Sequence, residues 1–205
     1  GLALIGTQAE VQTSASPDQL QLARDQLRDL TESSGFAGRL TLVIGENGLD
    51  LAQQLGLAAQ QPLLKSGNWI GPLLVAAAEA GVRELLVLGY HGKLIKLAGG
   101  IFHTHHHLAD ARLEVLAALA VQEGISMESV RALLQAASIE EAWCWFQAHD
   151  AVQAMGLWMA VAQAVERRSE VYLKRYGCTG MRVGAALFNR DRQLRWAGPA
   201  GELML

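Results

Sequence analysis

The chain has 205 residues, 51% hydrophobic and only 18% charged, which suits a well-buried core and excludes a disordered segment. A net charge of −3 and a pI of about 6.1 supply no positive field, so nucleic acid and anionic membranes are not expected partners. Cys144 and Cys178 stand in unrelated contexts without metal-ligand spacing, which fits two free thiols in a reducing, cytoplasmic setting.

Taken in order, Leu2–Ile5 reads as a short strand entered in mid-protein, and with no initiator Met the chain is expected to be a piece of a longer polypeptide. Ser16-Pro17-Asp18-Gln19 is a helix start, with Ser16 as cap, Pro17 at the first helical position and Gln19 closing a capping box. Leu20, Leu22, Ala23, Leu27 and Leu30 give that helix its apolar face, and Ser33-Ser34-Gly35 ends it. Leu40–Ile44 is a buried strand, followed by Gly45-Glu46-Asn47-Gly48 and a short helix to about Leu55. Pro62–Leu64 starts the next strand, Gly67-Asn68-Trp69-Ile70-Gly71 follows it, and Pro72 opens a helix that Gly81 closes.

Leu85–Leu88 is the most apolar strand, and the segment after Gly89 is read as a loop crowded with His91, Lys93, Lys96, His103, Thr104, His105, His106 and His107. A helix is expected from about Leu108 to Glu123, then helices starting at Ser126 and at the capping box Ser138-Ile139-Glu140-Glu141, and a long one from Ala151 to about Tyr176. The Ala151–Val165 part of that helix carries Gln153 and Gln163 and is too short to span a bilayer. Met181–Asn189 and Gln193–Trp196 alternate like a hairpin about Arg190-Asp191, and Pro199-Ala200-Gly201 leads to a short tail. Trp143, Trp145, Phe146 and Trp158 read as packing residues. Strand, Gly-rich loop and helix occur three times in succession. The expected fold is therefore α/β: one domain over residues 1–205, with a mostly parallel, Rossmann-like sheet flanked by helices, a helical C-terminal region and a terminal hairpin.

In such a sheet ligands bind beyond the carboxyl ends of the strands, which makes three turns candidates for one site: Gly45, Asn47 and Gly48; Asn68 and Gly71; Gly89 and Gly92. Small residues let a ligand approach the backbone, although strand-to-helix turns also need Gly and Asn for their dihedrals alone. None of the three is a dinucleotide or P-loop fingerprint. His103, His105 and His107 would share a face if extended, yet hydrogen bonding suffices to explain them, so no metal ligand is assigned. Lys93 and Lys96 could hold carboxylates, whereas Asp110 and Arg112 lie too close in sequence to face each other on a helix and are expected to serve separate partners.

The run from Gly89 to Glu114, with Gly-Asn-Trp-Ile-Gly at 67–71 before it and the Ser-Pro-Asp helix start near the beginning, resembles the cobalt-precorrin-5B C1-methyltransferase family. This chain departs from the family pattern at Tyr90-His91, at His103-Thr104-His105-His106 and at Gly45-Glu46-Asn47. The resemblance implies transfer of a methyl group from S-adenosylmethionine to C1 of a cobalt-bearing corrinoid, cobalt-precorrin-5B, giving cobalt-precorrin-6A, with the cobalt carried by the substrate. It implies His103 and His105 as catalytic groups; His91, Lys93, Lys96, Thr104, Asp110 and Arg112 as substrate contacts; and Gly45, Asn47, Gly48, Asn68, Gly71, Gly89 and Gly92 as the cofactor edge. It also implies an N-terminal domain not included in this chain, and leaves a homo-oligomer open. From other classes, a non-catalytic module holding a tetrapyrrole or organic anion, or a metal-dependent hydrolase using the histidines, would use the same loops.

Overall fold

A computed structural model of the chain describes residues 17–105 and 110–205. The strand expected at Leu2–Ile5, the Ser16 cap, His106, His107 and the helix start at Leu108 lie outside the described residues. The elements are α1 (Pro17–Glu32), β1 (Arg39–Ile44), α2 (Glu46–Gln54), a 3₁₀ turn (Leu57–Ala59), β2 (Leu63–Ser66), α3 (Ile70–Glu79), β3 (Glu84–Tyr90), α4 (His91–Ala98), α5 (Arg112–Gln122), α6 (Met127–Leu134), α7 (Ile139–His149), α8 (Ala151–Arg175), β4 (Arg182–Phe188), β5 (Leu194–Ala197) and α9 (Pro199–Met204).

The strands form one sheet in the order β2-β1-β3-β4-β5. The first four run parallel and β5 closes the edge antiparallel to β4. Alternate residues of each strand face opposite sides. Leu40, Leu42, Ile44, Leu85, Val87, Val183 and Ala185 pack beneath α1, α3, α4 and α8. Val43, Leu86, Leu88, Ala186 and Phe188 pack on the other side with Leu51 and Ala52 of α2 and Met204 of α9. From β1 the chain moves outward to β2 through α2, then back across β1 to β3 through α3 on the opposite face. Opposite directions on opposite faces give both crossovers the same hand, as parallel connections require. The order therefore reverses between β1 and β3, and crevices for ligands open at the carboxyl ends of strands where that happens.

Two elements differ from the sequence reading. The segment after β3 is not a loop throughout, because α4 occupies its first eight residues. His91, Gly92, Leu94, Ile95, Lys96, Leu97 and Ala98 of that helix are all buried, so no polar stripe marks it as amphipathic. Gly92, expected on the cofactor edge, lies under the Tyr90 ring, where an added Cβ would meet Tyr90 Cε1 at 2.6 Å. The C-terminal tail is the second difference: it is the short helix α9, seated on β4 through Gly201, whose added Cβ would lie 2.2 Å from the Ala185 carbonyl oxygen. Backbone cannot retreat as a flexible side-chain tip can, so Gly201→Ala is expected to cost about 2 kcal/mol in denaturant unfolding.

Candidate functional site

The strand-order reversal brings Gly45, which follows β1, against Lys93 on the first turn of α4. Gly45 has φ +76°, a left-handed conformation that a side chain would strain, and the Lys93 Nζ lies 3.7 Å from where its Cβ would be. Lys93 is exposed and, among the described residues, has no hydrogen-bond or ion-pair partner. Two adjoining hollows share Gly45, Glu46 and Lys93. The larger, about 430 Å³, is walled by Gln19 and Gln26 of α1 and by Lys65, Ser66, Gly67 and Asn68 at the end of β2. The smaller, about 200 Å³, is walled by Ile44, Asn47, Tyr90 and Phe188. Lys65 pairs with Glu46 across the rim.

Asn68 joins this cleft to the segment after α4. Its carbonyl accepts the Thr104 amide at 3.0 Å and its side-chain oxygen accepts the Thr104 hydroxyl at 2.9 Å. The Gly71 amide donates to the Phe102 carbonyl at 3.0 Å. Lys96 is only 2% exposed and points inward to the Thr104 and His105 carbonyls at 3.4 Å. Burial holds its ammonium below the usual lysine range, Asp110 favours the charge and Arg112 opposes it. Lys96 and Thr104, expected as substrate contacts, fasten this segment to the body.

His103 meets Trp69 edge to face with ring centroids 4.6 Å apart, and the His105 ring is 6.4 Å away. Burial, aided by His105 and Lys96, keeps the His103 imidazole below its ordinary pKa and therefore neutral. The His105 amide donates to its Nδ1 at 3.4 Å, a long contact that favours the tautomer with the proton on Nε2. Both His103 Nε2 and the Trp69 indole nitrogen are buried, with no partner among the described residues. With the proton on Nε2, His103 and Trp69 present two neighbouring N–H donors.

Asp110 and Arg112 do pair with each other, with Nε to Oδ1 at 2.8 Å and Nη2 to Oδ2 at 2.6 Å. The expectation of separate partners assumed helical spacing. Helix α5 begins only at Arg112, so Asp110 precedes it and is free of that geometry. The guanidinium holds the Asp110 carboxyl below the usual carboxylate range, and Asp110 in turn raises Arg112.

His91, expected as a substrate contact, has no exposed surface. The Trp158 indole N–H donates to its Nδ1 at 2.8 Å, which places the ring proton on Nε2, 2.7 Å from Glu140 Oε2. The same carboxylate oxygen accepts the Tyr90 hydroxyl at 3.0 Å and the Arg190 amide at 3.1 Å. Burial lowers the His91 pKa, with Glu140 only partly offsetting it. Below pH 6.5 the unfolded chain takes up a proton that the native state refuses, so stability falls as pH falls through that window. His91 alone can contribute a slope of up to about 1.4 kcal/mol per pH unit, and denaturant midpoints of His91→Gln between pH 5 and 7 should lack that share of it.

Gly48, Gly71, Gly89 and Gly92 are buried and answer to packing. An added Cβ on Gly71 would meet the Tyr172 hydroxyl at 2.5 Å, and one on Gly89 would crowd Leu94 and Ile44 at 3.1 and 3.2 Å. Of the residues expected on the cofactor edge, Gly45, Asn47 and Asn68 line the cleft. Tyr90, Lys65, Trp69 and Glu140 were given no functional role in the sequence reading. Tyr90 alone carried a signal there, as the last aromatic residue of a strand pointing at the crevice.

Residues 103–199 match the family model described as CbiD, C-terminal domain. The chain is 64% identical over 205 residues to the cobalt-precorrin-5B C(1)-methyltransferase of Prochlorococcus marinus (strain MIT 9313), covering 100% of this chain and 53% of that protein. It is 63% identical over 202 residues to the protein of the same name from Synechococcus sp. (strain CC9605), covering 98% and 53%. The corresponding figures for the one from Parasynechococcus marenigrum (strain WH8102) are 60% over 202 residues, covering 98% and 55%. The chain thus spans about half the length of the curated relatives it matches. No solved structure matches it.

Proposed function

Because the chain belongs to the cobalt-precorrin-5B C(1)-methyltransferase family, we propose that its Lys93 cleft forms part of a site for S-adenosylmethionine-dependent methyl transfer to C1 of cobalt-precorrin-5B, giving cobalt-precorrin-6A. The reading takes residues 1–205 as one domain. The observation that carries it is the Lys93 ammonium, without a partner among the described residues, at the strand-order reversal, beside the positive-φ Gly45 and between two hollows.

A sulfonium donor fits the groups present. A hollow of about 430 Å³ falls in the range of small-molecule sites. Lys93 can hold the donor's carboxylate, Glu46 its ammonium, and the Asn47 and Asn68 amides its hydroxyls and base. Bound there, the donor supplies an electrophilic methyl group to C1 and is left as a neutral thioether.

The chain's own residues do the rest by placement, since aligning two bound reactants removes much of the entropic barrier. Trp69 and His103 donate to a peripheral carboxylate of the macrocycle. Among the described residues of this segment, His105 offers a second imidazole to take a proton released from the macrocycle.

Calorimetric titration of the chain with S-adenosylhomocysteine and with cobyrinic acid tests this. Saturable binding of at least one is expected, weakened by about tenfold in Lys93→Ala through loss of a charged hydrogen bond. Failure of both ligands to bind, or an unchanged affinity in the variant, overturns the reading.

A further inference from the structure

The smaller hollow has a makeup unlike the rest of the cleft. Two aromatic rings wall it: Tyr90 at the end of β3 and Phe188 at the end of β4, with centroids 6.2 Å apart and planes inclined at 48°. Phe188 is only 2% exposed and fixed in the core. Tyr90 is held from three directions. Its hydroxyl donates to Glu140 at 3.0 Å, the His91 ring meets it edge to face at 4.7 Å, and Gly92 leaves room beneath it that no other residue could. Tyr90 is half-buried against the core, and a side chain locked this way loses no rotamer freedom when a ligand covers it. Asn47 stands on the opposite lip, exposed and without a hydrogen-bond partner among the described residues. Its amide offers a donor and an acceptor side by side, the pattern that reads the edge of a planar heterocycle.

The geometry points to a subsite for a purine base in this hollow: the ring stacks on Tyr90 against Phe188, Asn47 reads its edge, and Lys93 stands where the hollow opens into the larger one. The subsite rests on the reading of the cleft as a methyl-donor site and assigns the adenine of that donor to the aromatic half. The polar remainder of the donor then extends past Gly45, which has neither side chain nor helical backbone, toward Lys65 and Asn68.

Adenosine, inosine and S-adenosylhomocysteine are the probes, titrated into the chain and followed by calorimetry and by saturation transfer from protein aromatic protons to ligand H2 and H8. Adenosine and S-adenosylhomocysteine are expected to bind with the same dependence on the hollow. Tyr90→Ala should weaken both by about tenfold or more, the scale of base stacking on an aromatic side chain. Tyr90→Phe, which keeps the ring and loses its tether, should weaken them less. Asn47→Ala should abolish any preference for adenosine over inosine.

Saturation transfer in the unaltered chain, arriving strongest at H2 and H8, supports the subsite even if a variant folds poorly. S-adenosylhomocysteine binding that ignores Tyr90 and Asn47 overturns the subsite and leaves the methyltransferase reading standing. Adenosine binding that depends on Tyr90, with no affinity for S-adenosylhomocysteine or corrinoid, supports the subsite and sinks that reading. No binding by either adenosine compound at millimolar concentration overturns the subsite.

Discussion

Glu166→Ala is expected to destabilise the fold by about 3 kcal/mol or more, the cost of orphaning several buried amides at once. Glu166 lies on α8, 7% exposed. Its Oε1 accepts the Ala185 amide at 3.0 Å and the Gly201 amide at 2.7 Å, and its Oε2 accepts the Ala200 amide at 3.2 Å. Helix α9 is six residues long and its cap residue, Gly198, has no side chain to satisfy the first turn. So short a helix has no stability of its own, and the carboxylate of a distant helix does the capping and complements the dipole. Gly198 is required by the same arrangement, since its Cβ would fall 2.3 Å from the carboxylate.

Burial raises the Glu166 pKa, Glu170 adds to the rise, and the three amides oppose it. The native state therefore binds a proton more readily than the unfolded chain. Stability is lost as pH climbs from about 4.5 through the raised value, and the alanine variant should lack that segment of the profile. Urea unfolding followed by tryptophan fluorescence measures both effects, with buried Trp196 nearby as reporter. A loss under about 1 kcal/mol would mean that water replaces the carboxylate and that the capping account is wrong.

How much of this was legible beforehand depended on periodicity. The parallel strands were readable because Leu85–Leu88 is an unbroken apolar run and Leu40–Ile44 is interrupted only by Thr41, as a sheet covered on both faces demands. The hairpin of β4 and β5 was readable from its alternation. Helix α4 was not: a short helix buried on every side has no polar face, and its His91, Lys93 and Lys96 looked like a functional loop. Two of those three are instead packed inside, where Lys96 ties down carbonyls and His91 bridges α7 and α8.

At the site, one turn from each of the first two strands lines the crevice, through Gly45 and Asn68. Residue type could not separate glycines that admit a ligand from those that admit a neighbour, since only coordinates show Tyr172 filling the space above Gly71. Glu140 was hidden for a similar reason. Its neighbour Glu141 meets the Ser138 cap, and a surface capping box accounted for both.

Replacing Glu140 probes how the fold holds the cleft. Glu140→Ala removes the acceptor of the Tyr90 hydroxyl, His91 Nε2 and the Arg190 amide together. Arg190 can turn to water, but the His91 proton has no exposure and must remain unpaired. A destabilisation of about 2 kcal/mol is expected from that one buried donor. Glu140→Gln distinguishes charge from hydrogen bonding, because a single oxygen takes all three bonds and an amide oxygen in its place can keep them. The glutamine variant should lose less than about 1 kcal/mol.

The charge has its own readout. Burial and then Glu140 push the Tyr90 phenol well above its ordinary pKa. Both variants should therefore shift one tyrosine to earlier titration in the ultraviolet difference spectrum, Glu140→Gln without the accompanying loss of stability. Adenosine affinity should follow the ring and not the charge, falling in Glu140→Ala and holding in Glu140→Gln. Equal losses of affinity in the two variants would show that the carboxylate's field, rather than its grip on Tyr90, shapes the hollow.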